Sequence, residues 1–568
     1  MQHLKEKPFC LSDEDISWVA ETLDSLTEEE KIGQLFCLVS YTSDEDYLGS
    51  LARKYKAGGL MCRPMPAAET VDTVRILQEN SRIPMLIAAN LERGGTGIAA
   101  EGTTIGSVMQ VAATDEEEMA YKLGSVCGQE GAAVGCNWAF APIIDIDYNF
   151  RNPITNTRTF GSDPERVRRM GVQYIKGVQE NNVAASIKHF PGDGMDERDQ
   201  HLVTSINSLT CEQWDATYGE VYKSCIEAGA MTVMIGHIMQ PAYSRRLNPA
   251  LKDEELLPAS LSYELTTTLL KERLGFNGLV VTDASTMAGM TIPMSRAQAV
   301  PQAIAAGCDM FLFTRNLEED YMYMKKGIED GIITRERLDD ALVRILGLKA
   351  SLRLHRKQAA GELVPSLEAA KEVLGAPLHK VWAAECADKA VTLVKEEAGV
   401  LPVTPNRYRR ILYYDIEAAE GVAYSVRTGV ADMFRKLLAG EGFEVTQYLP
   451  PQGREGMLAK QEDITGQYDL IIYLANMSTK SNQTAVRIEW AQPMGANVPV
   501  YINTVPTIFI SVENPYHLLD VPRVKTFINA YNSNDHVLKA IIDKLMGRSA
   551  FTGTSPVDPF CGMWDTRL

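Results

Sequence analysis

The residues best able to make and break bonds gather in two short stretches. GLVVTD, from Gly278, is almost wholly apolar and ends on Asp283, followed by the small residues Ala284 and Ser285. Two readings fit that carboxylate: a reactive group delivered at a strand end, or a helix N-cap that accepts backbone N–H groups. The second stretch, SIKHFPGDGMDERDQH, runs from Ser186 to His201 and carries two histidines, one lysine and four acids. Pro191, Gly192 and Gly194 make its second half a loop. Asp199 and His201 are two apart, so the carboxylate can reach the ring N–H, fix the tautomer and raise the imidazole's basicity. The same acids also fit a solvated face or a divalent-cation site, and this Asp/His spacing does not specify a metal.

Such groups need a scaffold that brings them to one place. From about residue 30 to about 350, short apolar runs alternate with amphipathic stretches. Eight runs predict strands: KIGQLFCLVS from Lys31, GGLMCR from Gly58, PMLIAAN from Pro84, NWAFAPIIDID from Asn137, VAASIKH from Val183, MTVMIGH from Met231, GLVVTD from Gly278 and CDMFLF from Cys308. Helical patterns follow, among them 164–180, 210–228, 262–274 and 335–350. Nearly all-apolar strands separated by helices imply a parallel sheet covered by helices, and eight units imply an α/β fold of the (β/α)8 TIM barrel type. Active sites on such barrels lie at the carboxyl ends of the strands. There the third strand delivers Asn90 and Glu92, the fourth Asp145 and Asp147, the fifth Lys188 and His189, the sixth His237 and the seventh Asp283. Some of these fit plain rim or core roles. Asp147 and Asn90 could be ordinary rim residues, and His237 could be a satisfied core histidine.

The pattern breaks after the barrel. The expected boundaries are 1–354 for the barrel, 355–385 for a linker or bracing helices, and 386–568 for a smaller α/β sandwich. Strands of that second domain are expected at RRILYYDI from Arg409, YDLIIYLAN from Tyr468, VPVYINT from Val498 and PTIFISV from Pro506, with a helix at 534–546.

Bulk composition narrows the classes. The chain of 568 residues is 45% hydrophobic and 23% charged, which excludes wholesale disorder. Its net charge of −18 opposes general binding to nucleic acid and to anionic lipid. No apolar run reaches membrane-spanning length. The first residues show no basic segment followed by an apolar one, so no signal peptide is expected. Ten cysteines scattered without a CxxC pair imply small core thiols in a reducing compartment, and hence a cytoplasmic protein.

Taken together, the motifs resemble glycoside hydrolase family 3, in its β-N-acetylglucosaminidase branch. The branch's KHFPGHG segment is similar to Lys188-His189-Phe190-Pro191-Gly192-Asp193-Gly194, and its DSH triplet to Asp199-Gln200-His201. Its TDA nucleophile segment is similar to Thr282-Asp283-Ala284, its PATLS-like segment to Pro258–Ser262, and its sugar-binding arginine segment to Arg158-Thr159-Phe160. Similarity continues through Ala305–Met310, AVTLVKEEAGVLPV from Ala390, ENPY from Glu513, Ala530-Tyr531 and GTSPV from Gly553, covering nearly the whole chain.

The resemblance implies a retaining, exo-acting β-N-acetylglucosaminidase. Asp283 would be the nucleophile, His201 the acid/base and Asp199 its orienting partner, with Lys188, His189, Arg158, Glu92 and Asn90 on the sugar and His237 in support. Terminal N-acetylglucosamine of peptidoglycan fragments, as in cell-wall recycling, or of chitin oligosaccharides would be the substrate. Neither a metal nor an organic cofactor is called for. Phosphorylases occur in this branch, so inorganic phosphate stays open as acceptor in place of water. Other readings are a β-glucosidase-type enzyme of the same family, a non-catalytic sugar-binding barrel and a phosphate-binding barrel isomerase. TDASTMAGM and FTRNLEED offer no convincing Gly-rich phosphate loop for the last. Three departures stand out: Asp193 replaces the second loop histidine, Gln200 the serine of DSH, and Asn90 the aspartate of DQEGG, with Arg93 an apparent insertion. Three roles are open to the second domain: bracing the barrel, lining the aglycone side, or forming a homodimer interface.

Overall fold

The computed structural model describes residues 1–417, 429–449, 460–482, 484, 487–490, 492 and 495–568. They divide into two compact units. The first comprises 1–104, 117–155 and 164–380, and the second 105–116, 156–163 and 381–568.

The first unit is the expected barrel. Its strands are β1 (Phe36–Val39), β2 (Gly59–Met61), β3 (Leu86–Ala89), β4 (Trp138–Ala139), β5 (Ala184–Phe190), β6 (Thr232–Ile235), β7 (Leu279–Thr282) and β8 (Phe311–Leu312). They pair in parallel in sequence order. β8 lies beside β1, and a parallel bridge between Val281 and Met310 closes the ring between β7 and β8. β3, β5, β6 and β7 are buried along their whole length, because barrel strands face the packed interior on one side and helices on the other. Trp138 of β4 is wholly buried, and its indole N–H donates to Thr232 Oγ1 of β6 at 2.9 Å.

Sequence expectation and structure differ in two places here. The start of KIGQLFCLVS is helical, because Thr27 and Glu30 form a capping box for helix Glu28–Gln34 and only Phe36–Val39 extends. The helices expected at 210–228 and 262–274 contain π-helical turns at Asp215–Gly219 and Glu264–Arg273. The stretch 355–385 is three helices, Leu354–Ala360, Leu367–Val373 and Pro377–Ala390, with residues up to 380 belonging to the barrel unit.

The second unit holds a six-stranded sheet of β9 (Thr392–Lys395), β10 (Arg410–Glu417), β11 (Glu444–Gln447), β12 (Leu470–Asn476), β13 (Thr507–Ser511) and β14 (Thr526–Asn529). The order is β9-β14-β13-β12-β10-β11, with β9 antiparallel and the rest parallel. On one face Phe434, Leu438, Ile541 and Leu545 of helices Val430–Gly440 and Asp535–Leu545 pack on the sheet. The other face is a row of stacked rings from Tyr414 through Tyr473 and Phe509 to Phe527. VPVYINT is not a strand: residues 498–504 form bends and turns, because β12 already pairs with β10 on one side and β13 on the other. Three strands of this sheet escaped the sequence reading: β9, β11 and β14.

Among the described residues no helix is long and apolar enough to cross a membrane. Nine of the ten cysteines are buried thiols, and Cys10 is exposed.

Trp138 joins β4 to β6 at the barrel interior, so its removal opens a cavity that the closed ring cannot collapse. Trp138→Ala is expected to cost about 3–5 kcal/mol, and Trp138→Phe distinctly less. Urea unfolding monitored by circular dichroism checks the order of the two variants.

Candidate active site

The carboxyl end of β5 carries the first pair of groups. Lys188 Nζ donates to Glu92 Oε1 at 2.8 Å, and both side chains are largely buried. Next to it, His189 is gripped twice by Asp145. Its backbone N–H donates to Oδ1 at 3.0 Å, and its Nδ1 lies 2.7 Å from Oδ2. A carboxylate against Nδ1 fixes the proton there and turns Nε2 outward. That Nε2 lies 3.9 Å from Oδ2 of Asp283.

Asp283 stands one residue beyond β7. Its backbone N–H donates to the Ile235 carbonyl of β6 at 2.8 Å, and its Oδ1 accepts the Ala284 N–H at 2.7 Å. The following helix, Ala288–Thr291, has Met287 in its cap position, so Asp283 is not that helix's N-cap. Burial alone would raise the Asp283 pKa. His189, His237 and His201 outweigh it and hold the carboxyl below its usual range.

The loop after β5 supplies the Asp/His pair. Asp199 is buried, and its Oδ1 accepts both the His201 backbone N–H at 2.8 Å and the ring Nδ1–H at 2.7 Å. The His201 ring is 29% exposed, so one side is anchored while the other meets solvent. Glycine is required where the loop turns back under the barrel rim. At Gly194, with φ of +106°, a Cβ would stand 1.9 Å from the Ile146 carbonyl oxygen.

His237 is fully buried beyond β6 and hydrogen-bonded at both nitrogens. Nδ1 lies 2.8 Å from Ser260 Oγ, and Nε2 lies 3.0 Å from the Ala284 carbonyl. A carbonyl only accepts, so Nε2 carries the proton and Nδ1 accepts from the hydroxyl. Burial lowers its pKa. It therefore backs the main chain that follows Asp283.

The structure thus brings Asp283, His201, Asp199, Lys188, His189, Glu92 and His237 to one rim of the barrel unit. Asn90 is exposed one residue beyond β3. Asp147 accepts from the Thr155 hydroxyl. Arg158 is half-buried in the turn Asn156–Arg158, within the segment 156–163 that belongs to the second unit. Sequence reasoning placed Asp145 at a strand end and gave it no partner. The signal available was its position on the neighbouring strand of His189. Gln200, Asp193 and Ser260 also hold the site together, as buried polar side chains that lie within the matched segments and were given no role there. Among the described residues, no group of three or more His, Cys, Asp or Glu is arranged to hold a metal ion.

Comparison with known proteins matches residues 27–348 to the glycosyl hydrolase family 3 N-terminal domain. A β-N-acetylglucosaminidase/β-glucosidase of Cellulomonas fimi is 53% identical over the full length of both chains. The solved structure of the β-glucoside phosphorylase BglX is 46% identical and covers 100% of both chains with a TM-score of 0.93. A family 3 β-N-acetylglucosaminidase from Paenibacillus sp. str. FPU-7 shares the fold, with a TM-score of 0.78 at 24% identity over 95% of this chain and 100% of that one.

Asp145 makes charge-assisted bonds to His189 that an amide cannot reproduce. Asp145→Asn is expected to lower kcat/KM on a β-glycoside by about 10–100-fold, the loss of one charged hydrogen bond of about 1.5–3 kcal/mol. Steady-state kinetics on the folded variant checks it.

Proposed function

The chain belongs to glycosyl hydrolase family 3, and from that premise we propose that it cleaves terminal β-linked N-acetylglucosaminyl and glucosyl units with retention, passing the sugar through Asp283 to inorganic phosphate. The observation that carries the reading is the hydrogen-bonded Asp199–His201 pair, an imidazole where a second carboxylate would ordinarily serve.

In the first step an Asp283 oxygen attacks the anomeric carbon while His201, protonated at Nε2, gives that proton to the glycosidic oxygen. The C–O bond breaks, the aglycone leaves as an alcohol, and the sugar is held as an ester on Asp283. The low carboxyl pKa keeps Asp283 ionised and ready. Asp199 keeps the His201 proton on Nδ1 and stabilises the imidazolium. In the second step neutral His201 takes a proton from the acceptor, whose oxygen displaces Asp283. Two inversions leave the β configuration unchanged. Lys188 donates a charged hydrogen bond to a sugar hydroxyl, with the outward Nε2 of His189 bonding another and Glu92 accepting beside them. Asn90 and Arg158 complete the sugar contacts in this reading.

The choice of acid/base decides which acceptor can approach. A carboxylate base facing a phosphate 4 Å away would repel it by about 4 kcal/mol at an effective dielectric constant of about 20. A neutral imidazole imposes no such barrier, and the charge of Asp199 is directed at the ring rather than at the acceptor. The likeness to a β-glucoside phosphorylase over the whole chain supports this acceptor, and the dual-named Cellulomonas fimi relative supports both sugars. Hydrolysis is the second reading, favoured by the open side of the His201 ring, which admits water as well. In either case peptidoglycan fragments and chitin oligosaccharides carry the required terminal unit.

Release of nitrophenol from its β-N-acetylglucosaminide and β-glucoside, with and without phosphate, tests the assignment. Phosphate is expected to accelerate turnover and to appear in a sugar 1-phosphate of retained configuration by NMR. Turnover indifferent to phosphate, with free sugar as the product, would make the enzyme a hydrolase. Asp283→Asn is expected to lose at least about 10³-fold of either activity, and an unaffected variant would remove Asp283 from the reaction.

A further inference from the structure

The loop that bears Asp199 and His201 runs from Pro191 to Thr204 without regular structure, apart from turns, before the short ladder of Ser205–Ile206 with Ile238–Met239. Main-chain bonds tie its far side to the segment after β7. The Ala288 N–H donates to the His201 carbonyl at 3.0 Å, and the Gly289 N–H to the Gln200 carbonyl at 3.1 Å. The start of the loop is held from the other side, where Trp214 Nε1 donates to the Pro191 carbonyl at 2.8 Å, Asn207 Nδ2 to the Gly192 carbonyl at 3.1 Å and the Tyr218 hydroxyl to the Asp193 carbonyl at 2.6 Å.

Gln200 joins that anchored start to the reacting pair. It stands between Asp199 and His201, yet its side chain points the other way and is wholly buried. Oε1 accepts the His237 backbone N–H at 2.8 Å, and Nε2 donates to Asp193 Oδ2 at 3.2 Å. One end meets a donor and the other an acceptor, so the amide has a single orientation. Asp193 is equally buried. Its Oδ1 accepts Asn152 Nδ2 at 2.9 Å and the Gly194 N–H at 2.7 Å. Its own N–H donates at 2.8 Å to Asp145, the carboxylate that holds His189. A continuous series of bonds therefore runs from His189 through Asp145 and Asp193 to Gln200, one residue from His201. Keeping the Asp193 carboxyl here is unfavourable: burial and the Asp145 charge push its pKa up to about 6.

We propose that Gln200 and Asp193 form a positioning latch that sets the His201–Asp199 pair relative to His189 and Asp283, so that the proton reaches the departing oxygen. The inference rests on the reading of His201 as acid/base. Misplacing an acid by an ångström costs about 10²-fold, and the cost falls only on leaving groups that need the proton.

Leaving-group dependence is therefore the readout. Gln200→Ala and Asp193→Ala are expected to lower kcat/KM about 10–100-fold for a methyl or disaccharide β-glycoside, while a dinitrophenyl β-glycoside stays within about threefold. Asp193→Asn alone turns an amide N–H toward Nε2 of Gln200 and should show the same split. Asp193→Asn combined with Gln200→Glu restores a donor facing an acceptor, keeps an oxygen for the His237 N–H, and should recover most of the loss. Equal losses on both substrate classes, unchanged kinetics, or no recovery in the paired exchange would overturn the latch. His201→Ala separates the two readings. If it shows no leaving-group split, His201 is not the acid and the underlying mechanism fails. If it shows the split and the Gln200 and Asp193 variants do not, only the latch fails.

Discussion

The site depends on one buried carboxylate. Asp145 is fully excluded from solvent, and its two oxygens accept the His189 ring, the His189 main chain and the Asp193 main chain. A charge in that position is tolerable only when its lone pairs are occupied. The donors belong to β5 and to the loop that follows it, so satisfying the carboxylate also fixes the end of the strand and the first turn of the loop. The direction of the His189 ring toward Asp283 follows from the same requirement.

Electrostatics then separates the ionisable groups by environment. Asp283 is buried, which would favour its neutral form, yet three imidazoles face it and keep it ionised. His237 is buried too, and burial lowers its pKa while both ring nitrogens stay hydrogen-bonded. Asp193, against Asp145 and without a cation among its hydrogen-bond partners, moves the opposite way from Asp283. Two carboxylates at the same rim thus have their pKa values pushed apart, the usual condition for assigning separate tasks to like groups. In the proposed reaction Asp283 attacks, and Asp193, whose two oxygens both accept, serves the geometry of the acid.

The division into two units gives the barrel a second feature. Segments 105–116 and 156–163 leave the barrel in sequence and belong to the other unit. Inside that unit, Ser107 donates to the Tyr531 carbonyl at 2.7 Å, and Asn156 Nδ2 lies 3.3 Å from Asn514 Oδ1. Arg158 therefore lies in a turn that is bonded to Asn514, three residues beyond β13.

Much of this was legible in the chain itself. Eight apolar runs bounded by polar ends specify eight barrel strands, and a barrel rim collects whatever stands at those ends, so Lys188, His189, His237 and Asp283 could be grouped before any coordinates. The two-residue spacing of Asp199 and His201 was enough for their pairing, because a contact that local needs only a turn. What the sequence could not disclose was contact at long separation. Asp145 meets His189 across 44 residues, and Lys188 meets Glu92 across 96. Such pairs follow from which strands lie side by side and how the loops are tilted, and neither leaves a local pattern. β11 was missed because its residues alternate exposed and half-buried at a sheet edge, while the β-branched run 498–504 has no strand position beside β12 to occupy. Local chemistry thus determined which residues could react and near which strand ends. Only tertiary packing decided which partner holds each one, because burial makes every polar group find a donor or acceptor wherever the fold supplies it.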